Sequence, residues 1–148
     1  MSVVDTSIVL ATPPAAVWEL IMDPRRLAEW VTIHRDVTSI DDGLPRPGFS
    51  MVQTLHLRGT NFKVSWRLAE CDALRRAVWE GRGPMHSRAW IEYELAELAD
   101  GGTRFHYRNE FHPPLGPLGA VAARALIGGI PRREAERSLA KLAAIVDR

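Results

Sequence analysis

The chain has 148 residues, of which 46% are hydrophobic and five are Trp. This length fits one domain over residues 1–148, and the composition supports a buried core rather than disorder. With 19 basic and 18 acidic residues, the formal net charge is +1. Nucleic-acid binding relies on clustered positive charge, so we expect no nucleic acid partner.

The N-terminal segment does not look like a signal peptide, because it lacks a basic region and carries Asp5. No apolar run approaches the roughly 20 residues of a membrane span, so we expect no integral membrane association. Cys71 is the single cysteine, which rules out an internal disulfide and is compatible with a reducing compartment. We expect a cytoplasmic protein, as a monomer or a homodimer.

The first third of the chain predicts a strand, two short helices and a second strand. Residues 3–10 alternate between apolar and polar side chains, as a strand does. Thr12 can cap a helix whose first position suits Pro13. Asp23-Pro24 ends this helix and starts another, so that the two helices form a V, and residues 35–41 predict the second strand.

After a turn-rich segment, the sequence predicts a run of strands joined by short turns. They cover residues 49–58, 61–71, 75–82, 86–98 and 103–112. Short connections favour an antiparallel meander over parallel strands with helical crossovers. From Leu115 to Val146 the apolar period becomes helical. Since Pro131 interrupts this stretch, we expect one long helix bent near Pro131, or two helices joined there.

The central strands have two different faces, one apolar and aromatic, the other charged, which is typical of a sheet that is covered on one side. The predicted covered face consists of Met51, Gln53, Leu55, Leu57, Phe62, Val64, Trp66, Leu68, Trp79, Ala89, Ile91, Tyr93, Leu95, Phe105, Tyr107, Asn109 and Phe111. The other face alternates Arg and Lys with Glu, and we interpret these pairs as favouring solubility and register.

The only element long enough to cover the aromatic face is the C-terminal helix, whose residues there are mostly Ala and Gly. Large side chains packed into small ones could fill this space as an ordinary core. A curved sheet could instead stand away from the helix and leave a cavity. The pattern alone leaves both alternatives open.

The order of elements resembles the START/Bet v 1-like (SRPBCC) superfamily, and within it the polyketide cyclase/dehydrase-like branch. The resemblance covers nearly the whole chain and is carried by VVDTSIVLATPPAAVWELIMDPRRLAEW, CDALRRAVWEG, YELAELADGGTRFHYRNEF and PPLGPLGAVAARAL. It implies an α+β helix-grip fold, in which a curved antiparallel sheet wraps around a long C-terminal helix and two short helices follow the first strand. It also implies a cavity between sheet and helix that binds lipids, sterols or polyketide intermediates.

We therefore expect the protein to bind a small hydrophobic molecule. The predicted ligand-binding residues are Trp30, Met51, Gln53, Leu55, Phe62, Val64, Trp66, Trp79, Ile91, Tyr93, Phe105, Tyr107, Asn109, Leu126 and Ile130. The amides and phenols among them can orient a carbonyl by hydrogen bonds. They can equally satisfy backbone groups within a core.

An alternative is a cyclase or dehydratase acting on a polyketide-like ligand, which would need a titratable group in the cavity. His34 is a weak candidate for that group, and a surface position is the other interpretation of this histidine. The family shares no catalytic motif that could be carried over. We expect no metal, because no HExxH motif or Cys-His set is present, and no cofactor, since the chain has no glycine-rich phosphate loop. A second alternative is a protein-interaction module that uses the two short helices and an exposed Trp90.

Overall fold

The computed structural model describes residues 1–114 and 129–148. The first part contains seven strands, two α-helices and two short 3₁₀ turns, and the second part contains one helix. In chain order the α-helices and strands are β1 Ser2–Leu10, α1 Pro14–Ile21, α2 Leu27–Trp30, β2 His34–Ile40, β3 Ser50–Leu57, β4 Thr60–Asp72, β5 Arg76–Arg82, β6 Arg88–Glu97, β7 Thr103–His112 and α3 Arg132–Val146.

The strands form one antiparallel sheet in the order β1-β7-β6-β5-β4-β3-β2. Strands β2 to β7 are a meander, as predicted, and β1 closes the sheet by pairing with β7. Because β1 and β2 lie at opposite edges, α1 and α2 connect one edge to the other. Irregular pairing within β2 and between Leu68 and Glu70 of β4 interrupts the ladder, and such bulges bend a sheet.

The predicted division into two faces is confirmed. Every second residue of β3 and of the first part of β4 is buried, and the residues between them are partly or fully exposed. Phe105 of β7 is completely buried. The covered face packs in one apolar core with residues from α1, α2 and α3, among them Val17, Leu20 and Leu139.

Helix α3 begins at Arg132, directly after Pro131, which has an extended backbone and serves as its N-cap. Gly129 has φ +67, so the chain is not helical immediately before this helix. Helix α3 is therefore a separate helix that begins after Pro131, not the continuation of a helix that bends there. The predicted helix over residues 115–128 lies outside the described residues.

Thr12 does not cap α1, so that prediction was wrong. Helix α1 starts at Pro14, and its N-cap residue, Pro13, offers no side-chain hydrogen bond. The Thr12 hydroxyl oxygen lies 2.5 Å from the carbonyl oxygen of Val146 and 2.7 Å from Oδ1 of Asp147. The Thr12 hydroxyl is thus engaged with acceptors at the end of α3 rather than accepting from the N–H groups at the start of α1, so Thr12 links the end of β1 to the end of α3.

Candidate ligand-binding site

An apolar cavity of about 60 Å³ lies between the covered face of the sheet and the three helices. Its sheet side is formed by β3, β4, β5, β6 and β7, and its opposite side by α1, α2, the α2–β2 connection and α3. The lining residues are Ile21, Met22, Pro24, Leu27, Trp30, Val31, Thr32, Ile33, Met51, Gln53, Leu55, Trp66, Trp79, Ile91, Tyr93, Tyr107, Ile130, Glu134, Ala135, Ser138 and Leu139.

A second apolar cavity of about 50 Å³ adjoins the first. The two share four lining residues, Ile33, Leu55, Trp66 and Ile130. Sites for drug-sized ligands typically span about 300–1,000 Å³. Each cavity is much smaller, so a ligand of that size would have to displace lining side chains or join the two spaces.

Most of the predicted ligand-binding residues line these spaces. The first cavity takes in Trp30, Met51, Gln53, Leu55, Trp66, Trp79, Ile91, Tyr93, Tyr107 and Ile130, and the second adds Phe62, Val64 and Asn109. Phe105 lines neither; its ring packs 5.6 Å from that of Tyr93 and 6.5 Å from that of Trp30. Leu126 lies outside the described residues. Contact of these residues with a ligand stays a prediction.

Trp66 lies in both linings, because the strand opposite it carries a glycine. Trp66 pairs with Gly81 across β4 and β5. A Cβ atom at Gly81 would lie 2.6 Å from Cζ3 of the Trp66 ring, too close for any real side chain. The absence of a side chain at Gly81 thus lets the Trp66 indole pack directly against the backbone of β5.

A chain of hydrogen bonds runs from Trp66 through Gln53 to His34. The Trp66 indole N–H donates to Oε1 of Gln53 at 2.9 Å. Nε2 of Gln53 lies 2.8 Å from Nδ1 of His34. An indole nitrogen can only donate, which fixes the orientation of the amide and makes the Gln53 amide nitrogen the donor to His34. Nδ1 of His34 must therefore be unprotonated.

His34 does not line either cavity but is partly buried behind Gln53. Burial lowers the pKa of His34 below 6.5, and the nearby carboxylate of Asp36 opposes this effect. The neutral imidazole that the hydrogen bond requires is thus also the form that burial favours. His34 is therefore not a surface residue but supports the side chain of Gln53. It does not contact the cavity directly, as a catalytic group would have to.

The two tyrosines of the covered face retain their protons. Burial raises the pKa of Tyr93 and raises that of Tyr107 to about 12, although the hydrogen bond from Asn109 acts in the other direction on Tyr107. The Asn109 amide nitrogen donates to the Tyr107 hydroxyl oxygen at 3.0 Å. Both phenols can therefore offer an O–H to a neighbouring acceptor, but neither can act as a base near neutral pH.

A polar cluster of Thr32, Glu134 and Ser138 lines one side of the first cavity. The Thr32 hydroxyl donates to Oε2 of Glu134 at 2.7 Å, and its backbone N–H donates to the Ser138 hydroxyl at 3.1 Å. Arg137 contacts the other oxygen of Glu134 at 3.3 Å. Glu134 is mostly shielded from solvent, so this cluster brings a carboxylate into the lining.

The sequence pattern had placed no charged group in the cavity, so the Thr32–Glu134–Ser138 cluster was missed. The strand period identifies only the sheet side of the lining. On α3 the buried residues Ala135, Ser138, Leu139 and Leu142 recur at three- and four-residue steps. That helical spacing was the signal that could have placed Ser138, and Glu134 beside it, at the cavity.

Trp30 lines the first cavity and carries a buried hydrogen-bond donor. The residue is only 2% exposed. Its indole nitrogen is buried without an acceptor, the one such side-chain atom among the described residues. The ring packs against Tyr93 at a centroid distance of 6.1 Å.

The outer face of the sheet carries the predicted network of ion pairs. Arg76 of β5 contacts Glu70 of β4 and both Glu92 and Glu94 of β6, the two neighbouring strands. Trp90 is partly covered on this face, with the Arg88 guanidinium 5.2 Å from its ring centre and the His112 ring at 5.0 Å. These contacts match a solvated face that fixes register.

Neither a metal site nor a membrane-spanning helix is found in the described part of the chain. Residues 1–114 and 129–148 contain no group of three or more His, Cys, Asp or Glu placed to hold a metal ion. None of the helices in the same ranges is long and apolar enough to cross a membrane.

The family described as polyketide cyclase / dehydrase and lipid transport matches residues 1–147. The chain belongs to this family. An uncharacterized protein of Mycobacterium tuberculosis is similar in sequence, with 26% identity over 135 residues. The alignment covers 89% of this chain and 93% of that protein. Membership of the polyketide cyclase / dehydrase and lipid transport family confirms the resemblance seen in the sequence.

Solved structures confirm the helix-grip fold. The Zhui aromatase/cyclase from Streptomyces sp. R1128 aligns with a TM-score of 0.80 at 16% identity, covering 99% of this chain and 93% of that one. Protein CV1439 from Chromobacterium violaceum has a TM-score of 0.69 at 21% identity, with 99% and 98% covered. Ara h 8.0201 has a TM-score of 0.64 at 14% identity, with 97% and 96% covered. At these identities the likeness concerns the fold.

Proposed function

We propose that the protein binds a small hydrophobic ligand, such as a lipid, a sterol or a polyketide-like molecule, between the sheet and α3. The observation that carries this proposal is the pair of adjoining cavities lined by aromatic and aliphatic side chains. A folded core normally leaves few voids larger than a water molecule, because each unfilled volume forfeits contacts. Two neighbouring voids on one face of one sheet are a reason to expect an occupant.

Polar groups on the cavity wall support the same proposal. Binding sites for small molecules are mostly apolar and contain a few placed polar groups that orient the ligand. Here Gln53 and the Thr32–Glu134–Ser138 cluster are held by hydrogen bonds to other side chains. Such preorganised groups lose little freedom on binding, which favours affinity.

Native mass spectrometry of protein purified from its own source would test the proposal. We expect a mass above that of the bare chain, and organic extraction should release one class of apolar molecule for identification. A panel of fatty acids, sterols and aromatic polyketides should then include binders in calorimetric titrations. A chain that carries nothing and binds no member of that panel would contradict ligand binding.

Removing a Trp side chain should affect ligand affinity differently on the covered face and on the outer face of the sheet. Trp66→Ala should weaken binding of the extracted ligand by about tenfold or more, because a buried aromatic ring is typically worth 2 kcal/mol or more at a binding site. Trp90→Ala on the outer face should change the affinity by less than about twofold. Equal losses in calorimetric titrations of the two variants would place the ligand elsewhere.

A second candidate function is a metal-independent cyclase or dehydratase, and Glu134 is the observation that favours it. A carboxylate in an apolar lining can take a proton from carbon next to a carbonyl. A suitable probe is 3-hydroxy-1-indanone: the base removes the C2 proton, the C2–C3 double bond forms, and hydroxide leaves with a proton as water.

If the protein is such an enzyme, it should accelerate the formation of indenone from this probe, and Glu134→Gln should abolish the acceleration. Glu136→Gln, an exposed change on the same helix, should preserve it. Equal rates of indenone formation with and without protein would contradict the enzymatic candidate, and ligand binding would remain as the proposed function. The cytoplasmic location, the single domain over residues 1–148 and the absence of a cofactor remain predictions, as does the alternative of a protein-interaction module.

A further inference from the structure

The buried indole N–H of Trp30 has no acceptor within the described structure, although it belongs to a cavity-lining side chain. Buried polar groups in folded proteins are nearly always hydrogen-bonded, and the exceptions call for an explanation. An indole nitrogen only donates, so the missing partner must be an acceptor atom.

Several other polar groups of the same lining are already paired within the protein. Both ends of the Gln53 amide are engaged, by Trp66 and by His34. Thr32, Glu134 and Ser138 bond to one another. These groups already have partners within the protein, whereas the Trp30 indole N–H has none and would gain its first hydrogen bond from a ligand oxygen.

We propose that the ligand carries a carbonyl or ether oxygen that accepts the Trp30 indole N–H, so that the cavity selects oxygenated ligands over pure hydrocarbons. This inference rests on the proposed binding function and narrows its ligand class. Desolvating a carbonyl without a partner weakens binding, and a buried donor removes that penalty. Among the described residues, the Trp30 indole N–H is the fully buried donor that lacks a partner, and the selection is assigned to this atom.

A matched pair of probes isolates that atom. 1-Indanone and indane share one ring system and differ in a carbonyl against a methylene group. Titrations of the full-length protein followed by ¹H–¹⁵N correlation spectra give both affinities and report each Trp indole N–H separately. We expect 1-indanone to shift the Trp30 indole proton downfield, as a new hydrogen bond does, and indane to leave it without such a shift. This measurement needs no variant.

Variants provide the second arm. We expect Trp30→Phe, which removes the N–H and keeps an aromatic ring, to reduce the preference for 1-indanone over indane by about threefold to tenfold, the size of one net hydrogen bond. Trp90→Phe, which makes the same change on the outer face of the sheet, should alter that preference by less than about twofold, and Tyr93→Phe tests the phenol as the competing donor. The ratio of the affinities for 1-indanone and indane is compared between variants. The smaller ring of Phe affects both affinities alike, so its effect cancels in this ratio.

The outcomes separate this inference from the function on which it rests. If both probes bind and the Trp30 signal responds to both alike, or if the preference persists in Trp30→Phe, the oxygen selection is wrong and the binding function stands. Loss of the preference in Tyr93→Phe instead would assign the donor to Tyr93 and overturn the role of Trp30. If neither probe binds, the binding function fails and this inference fails with it.

Discussion

His34 influences the cavity indirectly, through its hydrogen bond with the amide of Gln53, which lines the cavity. Because Trp66 fixes which end of that amide faces His34, a proton on Nδ1 would set two donors against each other. The amide would then have to turn, and its nitrogen would face the Trp66 indole N–H. The protonation state of a side chain outside the cavity thereby influences the position of an aromatic ring inside it.

We predict that His34 makes the folded state less stable as the pH falls below about 6.5. Burial lowers the pKa of His34 in the folded state, so between that pKa and 6.5 the unfolded chain binds more protons than the folded one. Stability therefore rises with pH across this window and is lost on acidification. Urea unfolding at pH 7.5 and 5.5, followed by Trp fluorescence, should show a larger loss for the natural protein than for His34→Asn.

The exposed His86 provides the control for this experiment. His86→Asn should keep the pH dependence of the natural protein, because His86 takes no part in the hydrogen-bond chain from Trp66 through Gln53 to His34. An identical loss of stability in His34→Asn and the natural protein would show that the hydrogen-bond chain from Trp66 to His34 does not require a neutral imidazole.

At the scale of elements, the end of α3 is fixed to the turn between β1 and α1 by one carboxylate. Asp147 accepts the backbone N–H groups of Ala11 and Thr12 at 3.1 and 3.2 Å, besides its contact with the Thr12 hydroxyl. These bonds, with the Thr12 hydroxyl contributing most, lower the pKa of Asp147. The helix that covers the cavity is thereby held at the end distant from Pro131.

We predict that Asp147→Asn lowers the free energy of unfolding at pH 7 by about 0.5–1 kcal/mol, a modest value because the carboxylate is near solvent. Since the pKa is depressed in the folded state, this contribution is complete above the ordinary value of 3.8 and is lost as the pH falls through the folded value. Urea unfolding should therefore show the two proteins converging in acid. Glu136→Gln serves as the control, and an equal effect there would mean that general charge, not this contact, is responsible.

The sequence predicted strands better than it predicted helix contacts, for a physical reason. In a strand the two faces alternate with a period of two, so the pattern around Trp66 or Tyr107 assigns each residue to a face. A helix residue such as Glu134 has no such binary assignment, because its environment depends on how the helix is rotated against the sheet. The lining from α3 was missed for this reason.

Thr12 shows a different limit of sequence-based prediction. Its position before two prolines is typical of a helix cap, and a local pattern cannot reveal an acceptor that lies 135 residues away along the chain. The residue pattern likewise allowed either a filled core or a cavity. Only the resemblance to a known superfamily predicted the cavity. Gly81 gave no signal either, although the placement of the Trp66 ring depends on it.

At the scale of the whole molecule, the cavity exists because two layers meet with mismatched side chains. The sheet contributes rings such as Trp66, Trp79 and Tyr93, whereas α3 contributes the small residues Ala135 and Ser138 between Glu134 and Leu139. Small residues bring the helix close but do not fill the spaces between the rings. Binding and stability therefore oppose each other here, since any residue that fills the void removes the site.

We predict that Ala135→Leu separates the two properties. Ala135 is buried in the lining, and the added carbon atoms of Leu would occupy the first cavity. Affinity for 1-indanone and for indane should both fall by at least about tenfold, while the free energy of unfolding changes by less than about 2 kcal/mol, because filling a void offsets the strain of a larger side chain. Ala140→Leu makes the same change on the exposed side of α3 and should leave both affinities unaltered. Calorimetric titration with urea unfolding measures both quantities, and undiminished binding by a folded Ala135→Leu would show that ligands are held outside this cavity.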